Sequence, residues 1–543
     1  MRRTLLAVFC LSMSILNAPA LRAGEKAVAT PTVVVRAKSL DALLQNLNLV
    51  VKLVGQEDAA LAIEGLIKSK IGKTGIEGID PTRPFGVYVR FGKAIDDING
   101  AILIPMADEK TFLALLDNLG VKYTKDKEDI YTHKTDKNVD LYFRFAHRYL
   151  YITSVNTESI QKKNLPDPAK ALAIRGDATF AVVARIDQIP DSAKQIALGQ
   201  LAEAIGTAKK KAAPNETKAQ EEFRIALLDD AHQLAKSVIN EAEEIRFDLD
   251  VSDKTKEMTV NFNVIGKPGS TLAKTIKNMG ELKSPLAGIV KDNVAFQGAF
   301  HLALPGGLKK ALGSVIDEVT EDALKSIQDE KKREQAKALF DALTPTAKSG
   351  EFQLVAAIVG PQAERYAIVA ALKLKDGDKL GKTATALLKE ARDAMPKKDQ
   401  DKVQLDVDNV GAVKIHRFEV PKDGKIDKFL ADVAGDNQLY LAFRDDALFF
   451  AIGKGSLPAL KAAVAKKDSG PSSPLVFDFD VARMAPLMAQ TPEQKKLAAK
   501  LFPPGENARV RLAVEGGTSL NARLEMRLSV LEFLVKLKND QGK

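Results

Sequence analysis

One pattern occurs twice and constrains most of what this chain can become. Leu141-Tyr-Phe-Arg-Phe leads through a polar turn at Ala146-His147-Arg148 into Tyr-Leu-Tyr-Ile. Leu439-Tyr-Leu-Ala-Phe leads through a polar turn at Arg444-Asp445-Asp446 into Ala-Leu-Phe-Phe-Ala-Ile. Short β-rich runs around a tight polar turn read as a β-hairpin, and each is followed by helical material. The two copies lie a little over half the chain apart, and their neighbours follow in the same order. The pattern therefore predicts one architectural unit used twice.

The first unit opens with a strand at Thr32 to Arg36. A helix follows, capped by Ser39 or Asp41, with Leu43, Leu44, Leu47, Val50, Val51 and Val54 at helical spacing. A second helical piece covers Ala59 to Lys70. Strands follow at Phe85 to Phe91 and Ile98 to Ile104, and Asp108 opens a helix that Gly120 ends. After the Leu141 hairpin, Thr157 to Lys163 reads as a short helix, and Pro166 and Pro168 mark a linker. A second β-α-β-β-α module runs from Thr179 to Met279. The order then recurs from Asn293, through the Leu439 hairpin and a linker at Gly470 to Pro474, to the last helix at Lys538. Alternation in Phe247-Asp248-Leu249-Asp250-Val251 and Phe477-Asp478-Phe479-Asp480-Val481 gives strands one apolar and one wet face. The expected fold class is α+β: internally duplicated β-α-β-β-α modules, with antiparallel sheets and helices packed on one face. The expected division is a signal peptide at 1–23, module 1 with its hairpin insert at 24–165, module 2 at 166–283, module 3 with its insert at 284–468, and module 4 at 469–543.

The first residues read as a secretory signal. Arg2 and Arg3 precede an apolar stretch from Leu5 to Leu16, and Ala18-Pro19-Ala20 or Leu21-Arg22-Ala23 supplies small residues for cleavage. The single cysteine, Cys10, lies inside this stretch. A mature chain without cysteine has no disulfide, no thiolate nucleophile and no cysteine-bound metal. A large cysteine-free exported chain fits a bacterial periplasm or exterior. No other apolar run reaches the length of a membrane-spanning helix, so no transmembrane segment is expected in the mature chain. The formal charge is +9, and removal of Arg2 and Arg3 lowers it by two. The lysines are spread along the chain, which favours a solvated surface over a dedicated polyanion site.

No constellation of residues demands a particular chemistry, so no catalytic, cofactor-binding or metal-ligating residue is assigned and no cofactor is expected. Gly381-Lys382-Thr383 follows a strand at a helix start. A phosphate loop also needs Gly five places before Gly381, and that position is Asp376. Asp248-Leu-Asp250-Val-Ser252-Asp253 suggests a calcium loop, but Asp253 and Thr259 stand where Gly and Glu are required. The five histidines, His133, His147, His232, His301 and His416, include no pair at helical metal-binding spacing. His133 and His416 each end a strand before a Leu-Tyr hairpin, a correspondence that suggests a repeated position. Tyr142, Phe143, Phe145, Tyr149 and Tyr151, with Arg144 and Arg148, form the densest aromatic and basic stretch, a combination used for single-stranded nucleic acid. The acidic turn of the second copy and the signal sequence argue instead for a hairpin with one face in the core and its polar side in water. No nucleic-acid partner is expected. Tryptophan is absent and aromatics make up 6% of the chain, which disfavours a carbohydrate platform. Lys209-Lys210-Lys211 reads as a solvated loop between helices.

The whole chain resembles a family of exported bacterial proteins of repeated α+β modules, with a strand-helix signature like Leu448-Phe-Phe-Ala-Ile-Gly-Lys-Gly-Ser456-Leu-Pro-Ala-Leu460. The resemblance implies an envelope or secreted setting and transfers no activity. The sequence thus points to a non-enzymatic periplasmic or secreted binding or scaffold protein, whose concave sheets meet a protein or an anionic polymer. The alternatives are a hydrolase with a dispersed, motif-free site and a basic adaptor on anionic envelope polymer.

Overall fold

The computed structural model describes residues 30–53, 77–92, 97–176, 178–289, 294–362, 365–420, 433–453, 455–467, 469–503, 505 and 508–541. The expected leader and the helical piece Ala59 to Lys70 lie outside these residues. The chain divides into two compact units. Among the described residues, unit one takes those within 30–200, 237–273 and 534–541, and unit two those within 201–236 and 274–533.

The first half of the chain forms β1 (Val33–Ala37), α1 (Leu40–Leu53), β2 (Phe85–Phe91), β3 (Ile98–Pro105), α2 (Glu109–Asn118), β4 (Thr124–Lys125), β5 (Tyr131–Lys134), β6 (Asp140–Ala146) and β7 (Tyr149–Thr153). It continues with β8 (Phe180–Arg185), α3 (Asp191–Lys210), α4 (Lys218–Glu241), β9 (Ala242–Ser252), β10 (Glu257–Gly266) and α5 (Thr271–Gly280). Local chemistry sets the helix starts. Ser39 Oγ accepts the N–H of Ala42 at 3.0 Å. Asp108 accepts the N–H groups of Lys110 and Thr111, and its hydrogen bonds with Thr111 hold the carboxyl below the usual carboxylate range. All strand pairs of unit one are antiparallel, in the order β4-β5-β6-β7-β3-β2-β1-β8-β9-β10.

The second half forms β11 (Val294–Ala303), α6 (Gly306–Ser326), α7 (Glu330–Ala347), β12 (Glu351–Gln362), β13 (Arg365–Lys373), α8 (Gly377–Ala394), β14 (Val403–Val410), β15 (Val413–Glu419), β16 (Gln438–Arg444), β17 (Ala447–Ile452) and α9 (Ser456–Ala465). It ends with β18 (Leu475–Asp480), α10 (Val481–Met488), α11 (Pro492–Leu501), β19 (Arg509–Glu515), β20 (Leu520–Arg527) and α12 (Leu528–Gln541). The antiparallel order in unit two is β14-β15-β16-β17-β13-β12-β11-β18-β19-β20. Strand for strand, this is the order of unit one.

Three local expectations are corrected. Thr157 to Lys163 forms two 3-10 turns, at Glu158–Ile160 and Lys162–Asn164. The first proline linker contains a helical turn, Pro168–Ala171, capped by Asp167. In the second, Gly470–Pro471 pairs with Lys283–Ser284 as a two-stranded ribbon.

Helices do not keep to one face of the sheet. In unit two, α9 lays Leu460, Ala463 and Val464 on Val355, Ala357, Val369, Ala371 and Phe449. On the opposite face, α7 and α8 lay Leu339, Ala342 and Leu380 on Leu372, Leu448 and Phe443. The reason is in the strands: β12 and β13 are near-continuous apolar runs, Val-Ala-Ala-Ile-Val and Ala-Ile-Val-Ala-Ala-Leu, which offer an apolar surface to helices on either side.

The two repeated hairpins differ in detail. In the first, His147 and Arg148 take φ of 52° and 61°, the left-handed pair that a tight two-residue hairpin loop needs. In the second, Asp445 and Asp446 stay out of that region. The first hairpin is also covered on both faces. Phe143 and Phe145 pack with Tyr131, Phe112 and Tyr123. Tyr149 and Tyr151 pack with Tyr88 and Leu103. Arg144, expected in water, is buried and donates to the carbonyl of Ile160 at 2.8 Å.

Candidate binding face

Strand register in unit two aligns alternate residues into rows that cross eight strands. One row runs Leu524, Leu512, Phe477, Gly298, Ala356, Ala370, Phe450, Leu441. Its neighbours run Met526, Val510, Phe479, Phe296, Ile358, Ile368, Ile452, Leu439 and Ala522, Val514, Leu475, Phe300, Leu354, Leu372, Leu448, Phe443. No position in the three rows carries a polar side chain. Successive side chains of a strand point to opposite faces, so all three rows share one face.

At one end this face is covered by α7 and α8, as described. At the other end it is open: Phe477, Phe300, Leu302 and Leu354 keep 40%, 39%, 39% and 41% of their surface in water. Phe296, Phe477 and Phe479 cluster there, with ring centroids 5.1 Å apart for the first two. Single exposed apolar residues are ordinary, but a contiguous apolar patch marks an interaction surface. The reverse side of β18, β19 and β20 carries charge. Asp478, Arg511 and Glu525 stand in register, Arg509 donates to Asp478 at 3.1 Å, and Arg523 pairs with Glu525. Arg511, Glu515, Asn521, Arg523 and Glu525 line a cleft of about 280 Å³ there.

Unit one carries a comparable apolar row: Phe262, Phe247, Val182, Val35, Val87, Ile102, Ile152, Phe143. Phe262 is its most open member. A polar cleft of about 480 Å³ is lined by Arg175, Arg185, Asp187, Glu243, Glu244 and Arg246 among others. Its cations are largely consumed within the fold. Arg185 lies 3.8 Å from Glu244 and donates to the Pro31 carbonyl at 2.6 Å, and Arg246 pairs with Asp248 at 2.7 Å.

His416 is buried between Asp406 and Thr385, which gives an Asp-His-Thr sequence of contacts. Its Nδ1 accepts the backbone N–H of Asp406 at 3.3 Å and lies 3.5 Å from the Asp406 carboxylate; Nε2 lies 3.3 Å from Thr385 Oγ1. With Nδ1 accepting, the neutral ring carries its proton on Nε2 and presents it to the threonine. That tautomer cannot take the threonine proton, so the arrangement holds a structural histidine rather than activating a nucleophile. Burial holds the His416 pKa below its ordinary value. His133 does not match it. His133 stands opposite Leu141 and bonds the Lys122 carbonyl at 2.7 Å near the surface, whereas His416 stands opposite Leu441, two places further along the hairpin strand. Their similarity in sequence is not a repeated site.

The other residues singled out in the sequence take structural partners. Gly381-Lys382-Thr383 lies inside α8, not at its start; Asp376 caps the helix, and Gly381 lets it approach Phe443, where an added Cβ would sit 2.7 Å from the Phe443 Cβ. Asp250 accepts from Thr179 at 2.9 Å, Asp248 pairs with Arg246, and Asp253 pairs with Lys256. Among the described residues no three His, Cys, Asp or Glu side chains gather as metal ligands, and no helix is long and apolar enough to cross a membrane. Lys209 pairs with Asp229, and Arg224 donates to the Lys209 carbonyl at 3.0 Å, closing the end of α3.

The open apolar rows are the feature that sequence reasoning missed. The signal was present in Phe477-Asp-Phe479 and Phe296-Gln-Gly-Ala-Phe300, but alternation cannot tell a covered face from an open one. Comparison with protein-family models, with curated proteins and with solved structures gives no match.

Proposed function

We propose that the chain is an exported, non-enzymatic binding protein, built by duplication of one ten-strand plan and working through the apolar face of its sheets. Support for the duplication comes from the identical strand order of the two units and from the paired Leu-Tyr hairpins. The leader-like first residues support export. The observation that carries the binding reading is the set of three apolar rows in unit two, open to water around Phe477, Phe300 and Leu354. Leaving such a patch exposed costs solubility and stability unless something covers it. The most catalysis-like cluster, around His416, holds its proton on the wrong nitrogen for base catalysis.

The test is recovery of a bound molecule. The purified chain is incubated with an extract of its own envelope, re-isolated, and stripped, and the released material is identified by mass spectrometry. A defined molecule recovered unchanged and near one equivalent is the expected result. Turnover of a component of that extract, abolished by one point substitution, would overturn the reading. Recovery of anionic polymer alone, lost at high salt, would transfer the function to surface charge.

A further inference from the structure

We propose that the open end of the unit-two rows binds the acyl chain of a single anionic lipid. This rests on the binding reading above and specifies its ligand. The chemistry of the face selects hydrocarbon. Within the sheet, backbone N–H and C=O groups are spent on neighbouring strands, so a ligand on the face meets side chains only. Those side chains are Phe296, Phe300, Leu354, Leu475, Phe477 and Leu512 with their row neighbours, and none offers a donor or an acceptor. A protein partner needs such groups, since protein interfaces carry roughly one hydrogen bond per 100–200 Å². An alkyl chain needs none. Gly298 lies in the middle of the central row, opposite Phe477 and Ala356, and its missing side chain makes room for the Phe296 ring, whose edge lies 3.0 Å from where a Cβ would stand.

The anionic head follows from charge at one end of the rows. Leu302, the last large exposed apolar residue of β11, stands opposite Phe352. Leu304, two residues on, donates its backbone N–H to the Gly350 carbonyl at 2.8 Å. The aliphatic stem of Lys309 runs against Gly350, close enough that an added Cβ there would meet its Cδ at 3.1 Å. Lys309 and Lys310 are both exposed. Lys309 thus stands at the end of an uncharged hydrocarbon floor, with the exposed Lys310 beside it in the chain, and supplies the cation that a carboxylate or phosphate head with one apolar tail requires.

The chain has no tryptophan, so Phe477→Trp installs a single, selectively excitable indole in the patch. Leu119→Trp installs one at an exposed position in unit one as the control. Each full chain is titrated with dibrominated stearic acid, whose bromines quench only on contact, and with plain stearic acid. The expected result is saturable quenching of Phe477→Trp by the brominated acid alone, with Leu119→Trp unaffected. Adding Leu354→Glu to the reporter should weaken binding at least tenfold with an unchanged circular dichroism spectrum. Adding Lys309→Glu and Lys310→Glu should weaken binding of the acid several-fold and leave stearyl alcohol unaffected. Equal quenching at both reporters, or none at Phe477→Trp, would overturn the proposal. So would quenching seen only when the chain sediments with anionic vesicles, which would indicate a membrane surface, or a concentration-dependent Trp shift without lipid, which would indicate a second copy. Absent quenching together with a recovered non-lipid ligand would defeat the acyl-chain assignment and leave the broader binding reading standing.

Discussion

Replacing Arg444 with methionine tests how the second hairpin is tied to the helix after it. The guanidinium is buried, engages Asp446 through Nε and Nη2, and donates through Nη1 to the carbonyls of Val464 and Lys466 at the end of α9. Its plane lies over Phe449, 4.9 Å from the ring centroid. Methionine keeps an apolar stem and removes every donor. Hydrogen bonds to charged groups contribute about 1.5–3 kcal/mol each, and losing one partner of a buried pair costs about 3–5 kcal/mol. The Asp446 side chain is 35% exposed, so water recovers part of its share. The loss that remains comes from two carbonyls without a donor and the ring contact, and should total about 3 kcal/mol. Arg444→Lys should recover less than half of it, because a single ammonium cannot serve the carboxylate and both carbonyls. Urea unfolding followed by circular dichroism measures the total, and hydrogen exchange across residues 456–466 localises it. A change below about 1 kcal/mol, with exchange across α9 unaltered, would refute the assignment of Arg444 as the tie.

Three further outcomes follow. Burial keeps His416 neutral and its pKa below the ordinary 6.5, against the opposing pull of Asp406 and with the help of Lys414. Its contribution to stability is therefore full above that value and is lost as pH falls below it, since the unfolded chain then binds the proton more readily. His416→Gln should flatten, in part, the fall in urea midpoint between about pH 7.5 and 5.5; an unchanged slope would assign the pH response elsewhere, with His301, also depressed by burial, the next group to replace. Gly381→Ala should destabilise by about 1–3 kcal/mol through collision with Phe443, while Lys382→Ala at the exposed neighbouring position should stay within about 0.5 kcal/mol; the reverse ranking in thermal melts would reopen a ligand role for this stretch. Arg148→Gly should relieve a left-handed residue in the first hairpin turn and raise stability by roughly 0.5–1 kcal/mol, and a lower melting temperature would show that the arginine side chain matters more than the turn.

Local rules in the sequence reached far into the fold. Caps at Ser39 and Asp108 started helices where such residues satisfy orphan N–H groups. The strands Phe85–Phe91 and Leu520–Arg527 follow from β-rich runs between turn residues, and the Leu-Tyr repeats marked hairpins in both units. What local rules could not supply was non-local. Nothing around Val35 announces that Val87 and Val182 will flank it, and nothing around Phe477 announces Gly298 and Leu512. The open rows exist only once those registers form, so the candidate face was legible as alternation and illegible as a surface. Arg144 was misplaced for a related reason: its position in an alternating strand is polar by pattern, and the turn carrying Ile160 covers it.

The strand order also has a consequence in time. In unit one β1 is made first yet lies between β2 and β8, and in unit two β11 lies between β12 and β18. During vectorial synthesis at about 5–20 residues per second, the roughly 140 residues between Ala37 and Phe180 keep one side of β1 vacant for about 7–30 s. Such long-range pairing makes folding slow, and a vacant β-edge rich in valine invites pairing with other chains while it waits. Assembly of each unit is thus gated by its eighth strand in sequence order. A chain truncated before Phe180 should accumulate as an association-prone intermediate, and release of the segment through Arg185 should mark the moment at which unit one can close around its oldest strand.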